Sequence, residues 1–511
     1  MSVVNESHLD RLHNLVSVLL AIGSPTLAGY SLVITRFNSR WLAHQFLNRQ
    51  FPNRINLPLA VSALQHIPFG IDNSGPLLPS LIILPKNDRY WKSLSDAAKR
   101  TRQWTIPMVM NIIWVLVAFA FVIVGSLVDF NDVISVPGDA GYPIAAVWTY
   151  LLPLVVGWLH VGSQLEAGQL DRALKDANHT AYVATAGAPA PATGIPPVIE
   201  QSVEFIDHVN ADEKKTAPIF NYARVFIWSQ HAEYILGLWQ RAAENARWKI
   251  TVRRGGVWTS NEDSINDEDR IGNEEEVVEY CMEKLRDVAN LSPPLGPQHF
   301  PVPYTPRSFY LTTAAPGDKE AAEADTPTNS IFATEVFLRV AFAAILAHVL
   351  QWGTTGASIL IHIFTPPKGI GCRALTFILY GAAGTLAFWL LLLSSILGHW
   401  TRRTNERSRS GVKLFTGYIA ALTRWLGKFV AITNGLGILV ACCMQFAGMY
   451  DNCFCSSTIF GGDPNGLVKF LDPNVKGSEV YGYWIGGITL AFGMSGLYAS
   501  AIYLATPMSR E

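Results

Sequence analysis

The chain has 511 residues, half of them apolar and only 15% charged, with a formal net charge of −1. This composition lies outside the usual range of soluble globular proteins. The near-zero charge averages unlike compartments, and nothing in it calls for nucleic acid as a partner.

Apolar runs of roughly 20 residues or more, enough to cross a bilayer core of ~30 Å, occur near 12–35, 106–128, 144–163, 337–363, 374–398, 427–447 and 481–505. The expected fold is therefore an all-α membrane protein with about seven transmembrane helices and a partly disordered cytosolic insert. In chain order the expected parts are 1–35, the outer N-terminus and first helix; 36–104, a basic cytosolic loop with interfacial segments; and 105–163, the second and third helices. An acidic cytosolic insert follows at 164–334, then the fourth and fifth helices at 335–399 and a basic cytosolic loop at 400–426. The sixth and seventh helices occupy 427–511 and flank an external loop at 448–479.

Glu6, Asp10 and Arg11 near the N-terminus resemble no signal-peptide n-region, and no small-residue cleavage site follows. The first run is thus expected to be a retained helix. Orientation follows from the short loops, because Lys and Arg near membrane ends prefer the cytoplasm. Arg36, Arg40, Arg49, Lys92, Lys99, Arg100 and Arg102 mark the first loop as cytosolic, and Arg402, Arg403, Arg407, Arg409 and Lys413 mark the one after the fifth helix. The loop between them at 129–143 carries Asp129, Asp132 and Asp139 without Lys or Arg. Seven spans with the N-terminus outside and the C-terminus cytosolic satisfy all three, in a plasma membrane or endomembrane.

The 52–85 stretch is apolar but broken by six prolines between Pro52 and Pro85, and reads as an irregular, partly interfacial lobe. ATAGAPAPATGIPPV at 184–198 is a linker. Residues 200–255 have helical spacing, with Phe220, Arg224, Phe226, Trp228, Trp239 and Trp248 among charged residues. Such a helix either lies on headgroups or packs in a small cytosolic helical domain. The acidic run at 262–287 is a solvated surface, and 200–290 is the candidate region for a cytosolic protein partner. The basic 402–413 loop is a candidate contact for anionic lipid, at ~1 kcal/mol per basic residue.

The spans hold few charges. Arg339 lies near the inner end of the fourth helix, where it can snorkel, and no Asp or Glu sits in the middle of a span. A proton pump lacks its relay, and a retinal protein lacks a lysine on the seventh helix. The fourth helix is the exception: at 100° per residue, His348, Gln351, Thr355, Ser358 and His362 fall within about 80° of one another. This polar stripe has two readings, the wall of a solute path or a packing face hydrogen-bonded to neighbouring helices at ~0.6 kcal/mol each.

His348 and His362 have the spacing for stacked haems, but the other helix-associated histidines, His160 and His399, both lie at inner ends and supply no second ligand. GTTG lacks the re-entrant half-helix of a carbonyl filter, and PPKGIGC lacks the GK[ST] ending of a phosphate loop. Gly353 with Gly356, Gly381 with Gly384, and Gly482 with Gly486 are helix-packing signals. No cofactor, metal site, nucleophile–base pair or nucleotide motif is read, so an enzyme is not expected.

Cys372, Cys453 and Cys455 all map outside, where an oxidising environment favours disulfides. Pairing of Cys372 with Cys453 or Cys455 is the favoured reading over free or metal-bound thiols. Glycosylation sequons begin at Asn5 on the outer side and at Asn178 and Asn290 in the insert; glycans at either of the last two would overturn the topology.

SPTLAGYSLVITRFNSRW, TAPIFNYARVF, QWGTTGASILIHIFTPPKGIGCRALTFILYG and NGLGILVACCMQFAGMYDNCFCSS resemble segments of a family of large multi-pass membrane proteins of filamentous fungi. The resemblance covers most of the chain, least so over 256–330. It implies a fungal origin, a helical membrane fold and an external Cys-containing loop after the sixth helix. The family carries no established activity or ligand, so it transfers no functional residues. Two functions remain in view: a sensor or scaffold acting through the insert, and a channel or facilitator for a small polar solute or ion. The seven-helix count also invites comparison with G-protein-coupled receptors, but only on topology.

Overall fold

The computed structural model describes residues 15–47, 52–66, 70–71, 78, 81–82, 84–100, 141–161, 167–183, 190–191, 199–200, 212, 218–247, 327–364, 370–403, 411–447 and 477–504. These residues are overwhelmingly helical. Extended structure among them is limited to two antiparallel pairs, Gly70–Ile71 with Ile199–Glu200 and Tyr182–Val183 with Ala190–Pro191.

The helices are α1 (Leu15–Gly23), α2 (Pro25–Leu47), α3 (Asn56–Ala63), α4 (Asp88–Arg100), α5 (Gly141–Trp148) and α6 (Leu151–Val161). They continue with α7 (Ala167–Asn178), α8 (Asn221–Arg247), α9 (Pro327–Phe364), α10 (Cys372–Arg403), α11 (Gly411–Phe446) and α12 (Gly477–Leu504).

Four helices are long and apolar enough to cross a membrane, over Thr334–Phe364, Cys372–Thr401, Phe415–Gln445 and Gly482–Leu504, and α1 with α2 makes a fifth if the bent pair counts as one span. Their outward faces are apolar: Phe337, Phe342, Leu386, Trp389, Phe415, Trp425, Phe429, Phe492 and Leu497 are all exposed. In water such a surface would be prohibitive, whereas against acyl chains it is the expected boundary. The chain is an integral membrane protein.

The seven-span expectation is met only in part. The 106–128 run lies outside the described residues. The 144–163 run divides into α5 and α6 around Thr149 and Tyr150, and its apolar helical part, Ala146–Trp158, is short for a span. The 12–35 run is not one straight helix: α1 and α2 meet at 101°. Ser24 and Pro25 cause that break. Ser24 Oγ accepts the Leu27 N–H at 3.3 Å, which makes Ser24 an N-cap. Pro25 then occupies the first helical position, where a missing N–H costs nothing.

Two apolar cores are joined by α2 and α8. The bundle core contains Leu27, Tyr30 and Val33 of α2, Tyr222 of α8, Ala347 and Leu350 of α9, Phe388 and Leu391 of α10, and Tyr498 of α12. The second core contains Leu42 and Phe46 of α2, Leu57 and Val61 of α3, Tyr90 and Trp91 of α4, Ala177 of α7, and Trp228, Ile235 and Trp239 of α8. The described parts of the Pro-rich 52–85 stretch thus meet α8, the described helix of the 200–255 region, in one packed helical domain. Its indoles are anchored: Trp228 donates to Val61 O at 2.9 Å, Trp239 to Pro52 O at 2.9 Å and Trp91 to Leu81 O at 2.7 Å. The prolines fit because Pro58 falls in the first turn of α3 and Pro85 opens a 3-10 turn. Of the insert, the acidic 262–287 run and the rest of 248–326 lie outside the described residues.

Candidate functional site

The stripe residues all lie on α9. Gln351, Thr355 and Ser358 are fully buried, His362 nearly so, and His348 is half-buried. They are not equivalent. His348 Nδ1 bonds to Ala344 O of its own helix at 2.7 Å, and its ring meets Phe388 edge-on at 5.3 Å. His362 stacks on Phe377 at 5.1 Å, and its Nε2 lies 3.3 Å from Gln445 Nε2. Ser358 Oγ donates to Thr354 O at 3.4 Å. Thr355 Oγ1 is buried and has no hydrogen-bond partner among the described residues.

Gln351 joins α9 to the break. Its Oε1 accepts the Thr26 N–H at 3.0 Å and the Thr26 hydroxyl at 2.6 Å. Its Nε2 donates to Gly381 O at 2.7 Å and to Thr385 Oγ1 at 3.1 Å. A half-helix that starts inside a bundle exposes orphan N–H groups at one end, and the helix before it exposes orphan carbonyls. Gln351 and Ser24 cover the former. Tyr380 OH donates to Ile22 O at 2.6 Å, and Asn434 Nδ2 donates to Gly23 O at 2.7 Å and to Tyr380 O at 2.9 Å, which covers the latter. Ser24 Oγ further donates to Gly384 O at 2.7 Å.

The bend also needs glycine. A Cβ on Gly23 would sit 1.7 Å from Ala431 O, and one on Gly435 would sit 2.8 Å from Leu19 O. α1 therefore crosses α11 backbone to backbone. Four of the polar groups here, Thr26, Tyr380, Thr385 and Asn434, did not stand out in the sequence. The Ser-Pro pair was the readable signal, since it is a standard helix opening.

A second polar cluster lies where α8 meets the bundle. Asp212 is fully buried: its Oδ2 accepts the Tyr222 hydroxyl at 2.5 Å, its Oδ1 pairs with Lys428 Nζ, and Arg424 Nε approaches at 3.9 Å. Burial alone would raise the Asp212 carboxyl pKa, but Lys428 and Arg424 outweigh it and hold the group below its ordinary 3.8. The Tyr222 hydroxyl is driven up by burial and by the adjacent Asp212 charge. Arg424 Nε donates to Ser394 Oγ at 3.1 Å, and Ser395 Oγ donates to Tyr222 O at 2.8 Å. Nearby, Ser31 Oγ donates to Ile219 O at 3.1 Å and Asn221 Nδ2 to Thr35 Oγ1 at 2.7 Å.

Arg339 does not simply snorkel. It is buried, its Nη1 donates to Asn38 Oδ1 at 2.8 Å, and its guanidinium covers the Trp41 ring at 4.1 Å. Trp41 Nε1 donates in turn to Glu335 Oε2 at 2.7 Å.

Cys372 opens α10, while Cys453 and Cys455 lie outside the described residues; Cys442 and Cys443 are free thiols. Among the described residues, no group of three or more His, Cys, Asp or Glu is placed to hold a metal ion. No protein-family model, no curated protein and no solved structure matches the chain.

Proposed function

We propose that this protein is a membrane sensor or scaffold in which a cytosolic helical domain reports on, or is set by, the state of a transmembrane bundle. The proposal includes seven spans, an outer N-terminus, a cytosolic insert and C-terminus, a Cys372 disulfide to Cys453 or Cys455, and kinship with the multi-pass family of filamentous fungi. The observation that carries it is the seating of α8. One end of this insert helix enters the bundle core through Tyr222 and the other enters the domain core through Trp228 and Trp239. Asp212, Arg424 and Lys428 lock that junction. A partner that shifts α8 must therefore shift α10 or α11, which supplies the differential contact a coupled two-state element requires.

The alternative is a channel or facilitator lined by α9. One observation favours it: the buried, unpartnered Thr355 hydroxyl, which a passing solute could engage. Weighing against it, Gln351 spends its full hydrogen-bonding capacity on two neighbouring helices, through Thr26 at the break and through Gly381 and Thr385 of α10.

Proximity labelling from the insert in intact cells, with and without residues 256–326, tests the scaffold reading. A set of cytosolic neighbours that depends on the insert is expected, and an identical set from the deletion sinks it. His348→Leu and Thr355→Val in a flux assay across a broad panel of solutes test the alternative, for which changed fluxes are required.

A further inference from the structure

On the lipid-facing surface of α9 and α10 an unmet hydrogen-bond acceptor lies beside an unmet donor. His348 Nδ1 bonds to Ala344 O at 2.7 Å, and a carbonyl oxygen only accepts, so Nδ1 carries the proton. In the neutral ring Nε2 is then an acceptor, and it has no hydrogen-bond partner among the described residues. Nor is it sealed inside the protein, for His348 is half-buried at the rim of the α9–α10 contact. Trp389 of α10 lies beside it and is 50% exposed, with ring centroids 5.7 Å apart and the rings tilted by 35°. An indole N–H only donates, and this one also makes no hydrogen bond among the described residues. Trp352, one turn along α9 from His348, differs: its Nε1 donates to Thr385 Oγ1 at 3.0 Å.

Depth decides what can answer the pair. The spans Thr334–Phe364 and Cys372–Thr401 have their midpoints near residues 349 and 387. His348 and Trp389 stand within three residues of those midpoints, roughly 5 Å at 1.5 Å per residue. In a core of ~30 Å, headgroups and sterol hydroxyls lie at least about 10 Å farther out. Tryptophan ordinarily gathers at the two interfaces, where its N–H meets water or headgroups. Acyl chains offer neither a donor nor an acceptor, and an unmet polar group among them is costly. What can meet both is a protein surface at the same depth, carrying one donor and one acceptor in an apolar surround that fits the exposed Ile345, Leu386 and Leu393. This patch is itself such a surface. The two-fold axis of a membrane dimer runs along the bilayer normal, so equivalent residues meet at equal depth, and each contact occurs twice. His348 and Trp389 share one depth.

We propose that this face of α9 and α10 is a homodimer interface, in which Trp389 Nε1 of each copy donates to His348 Nε2 of the other. The bonds are interhelical hydrogen bonds of the kind that hold membrane helices together, and the apolar residues around them exclude lipid. The interface uses neither α8 nor the insert, so it stands or falls apart from the sensor reading.

Single-molecule photobleaching of the labelled full chain, reconstituted in phosphatidylcholine vesicles over a dilution series of protein in lipid, reads the monomer–dimer constant. A two-step population that falls on dilution is expected. Trp389→Phe keeps an aromatic ring and removes the N–H. It should weaken the dimer about eightfold, the loss of two symmetry-related bonds of average membrane strength. His348→Phe should weaken it as much, and the double variant no further, because either change removes both bonds. Trp389→Phe alters an exposed side chain, so it decides the matter if His348→Phe does not fold. Trp425→Phe, on the exposed face of α11, should leave the constant unchanged. A monomer at every dilution, a constant unmoved by Trp389→Phe, additive effects in the double variant, or equal weakening by Trp425→Phe overturns the proposal. So does a dimer that appears only when native lipid extract is added, which would give the pair to a small membrane ligand.

Discussion

Replacing Gln351 by Met separates packing from passage. Met keeps the length and volume of the side chain but can neither accept from Thr26 nor donate to Gly381 O and Thr385 Oγ1. Four interhelical bonds at ~0.6 kcal/mol each, the membrane average, amount to about 2–3 kcal/mol. The stranded Thr26 N–H alone costs about 1–3 kcal/mol, because Thr26 is fully buried. Reversible SDS unfolding in bicelles, followed by far-UV circular dichroism, reads the loss as a lower midpoint. Thr26→Val supplies the second corner of a cycle. Since both residues act through the same contact, the double variant should be less destabilised than the two single effects combined, by about 1 kcal/mol. An unshifted midpoint for Gln351→Met, or strict additivity with Thr26→Val, would refute the clamp. A changed solute flux at unchanged stability would point instead to a pathway.

Gly23→Ala forces a Cβ into Ala431 O and should cost about 3 kcal/mol or more, with Gly435→Ala milder, both visible as reduced folded yield from membranes. Asp212→Asn leaves Arg424 and Lys428 without their carboxylate and should lower stability by about 3 kcal/mol, the lower end for a broken buried pair because Lys428 is partly exposed. Its pH dependence has a fixed sign. With the folded pKa held below the ordinary 3.8, the contribution is complete above that value and disappears as the pH falls through the depressed one. Wild-type unfolding midpoints should therefore decline below about pH 4, while those of Asp212→Asn decline less. Non-reducing peptide mapping should join the Cys372 peptide to the one holding Cys453 and Cys455, and the link should vanish in Cys372→Ser.

How legible each element was depended on where its partners lie in the chain. The fourth, fifth and seventh runs were readable within a few residues, because a lipid-facing helix carries its signal in its own composition: 337–363, 374–398 and 481–505 became Thr334–Phe364, Cys372–Thr401 and Gly482–Leu504. The sixth was expected at 427–447 but spans Phe415–Gln445. Arg424 and Lys428 cut its apolar run short, yet both turn toward Asp212, which lies 216 residues before Lys428. The stripe on α9 was visible from its period. Its destination was not, since Thr26 is 325 residues from Gln351. Periodicity says that a face is polar; only the neighbour decides whether that face is wet.

The joining of the two cores by α2 and α8 has a consequence for biosynthesis. Tyr90, Trp91 and Leu94 are made long before Trp228 and Trp239, which complete the same core. At 5–20 residues per second, the roughly 140 residues between α4 and the end of α8 take about 7–30 s. The first half of α2 waits longer still, until Gln351 and Phe388 arrive from α9 and α10. An incomplete chain thus presents an aromatic lobe to the cytosol, in the proposed orientation, and an unsatisfied helix opening to the bilayer. Both are marks by which quality control can recognise a truncated product.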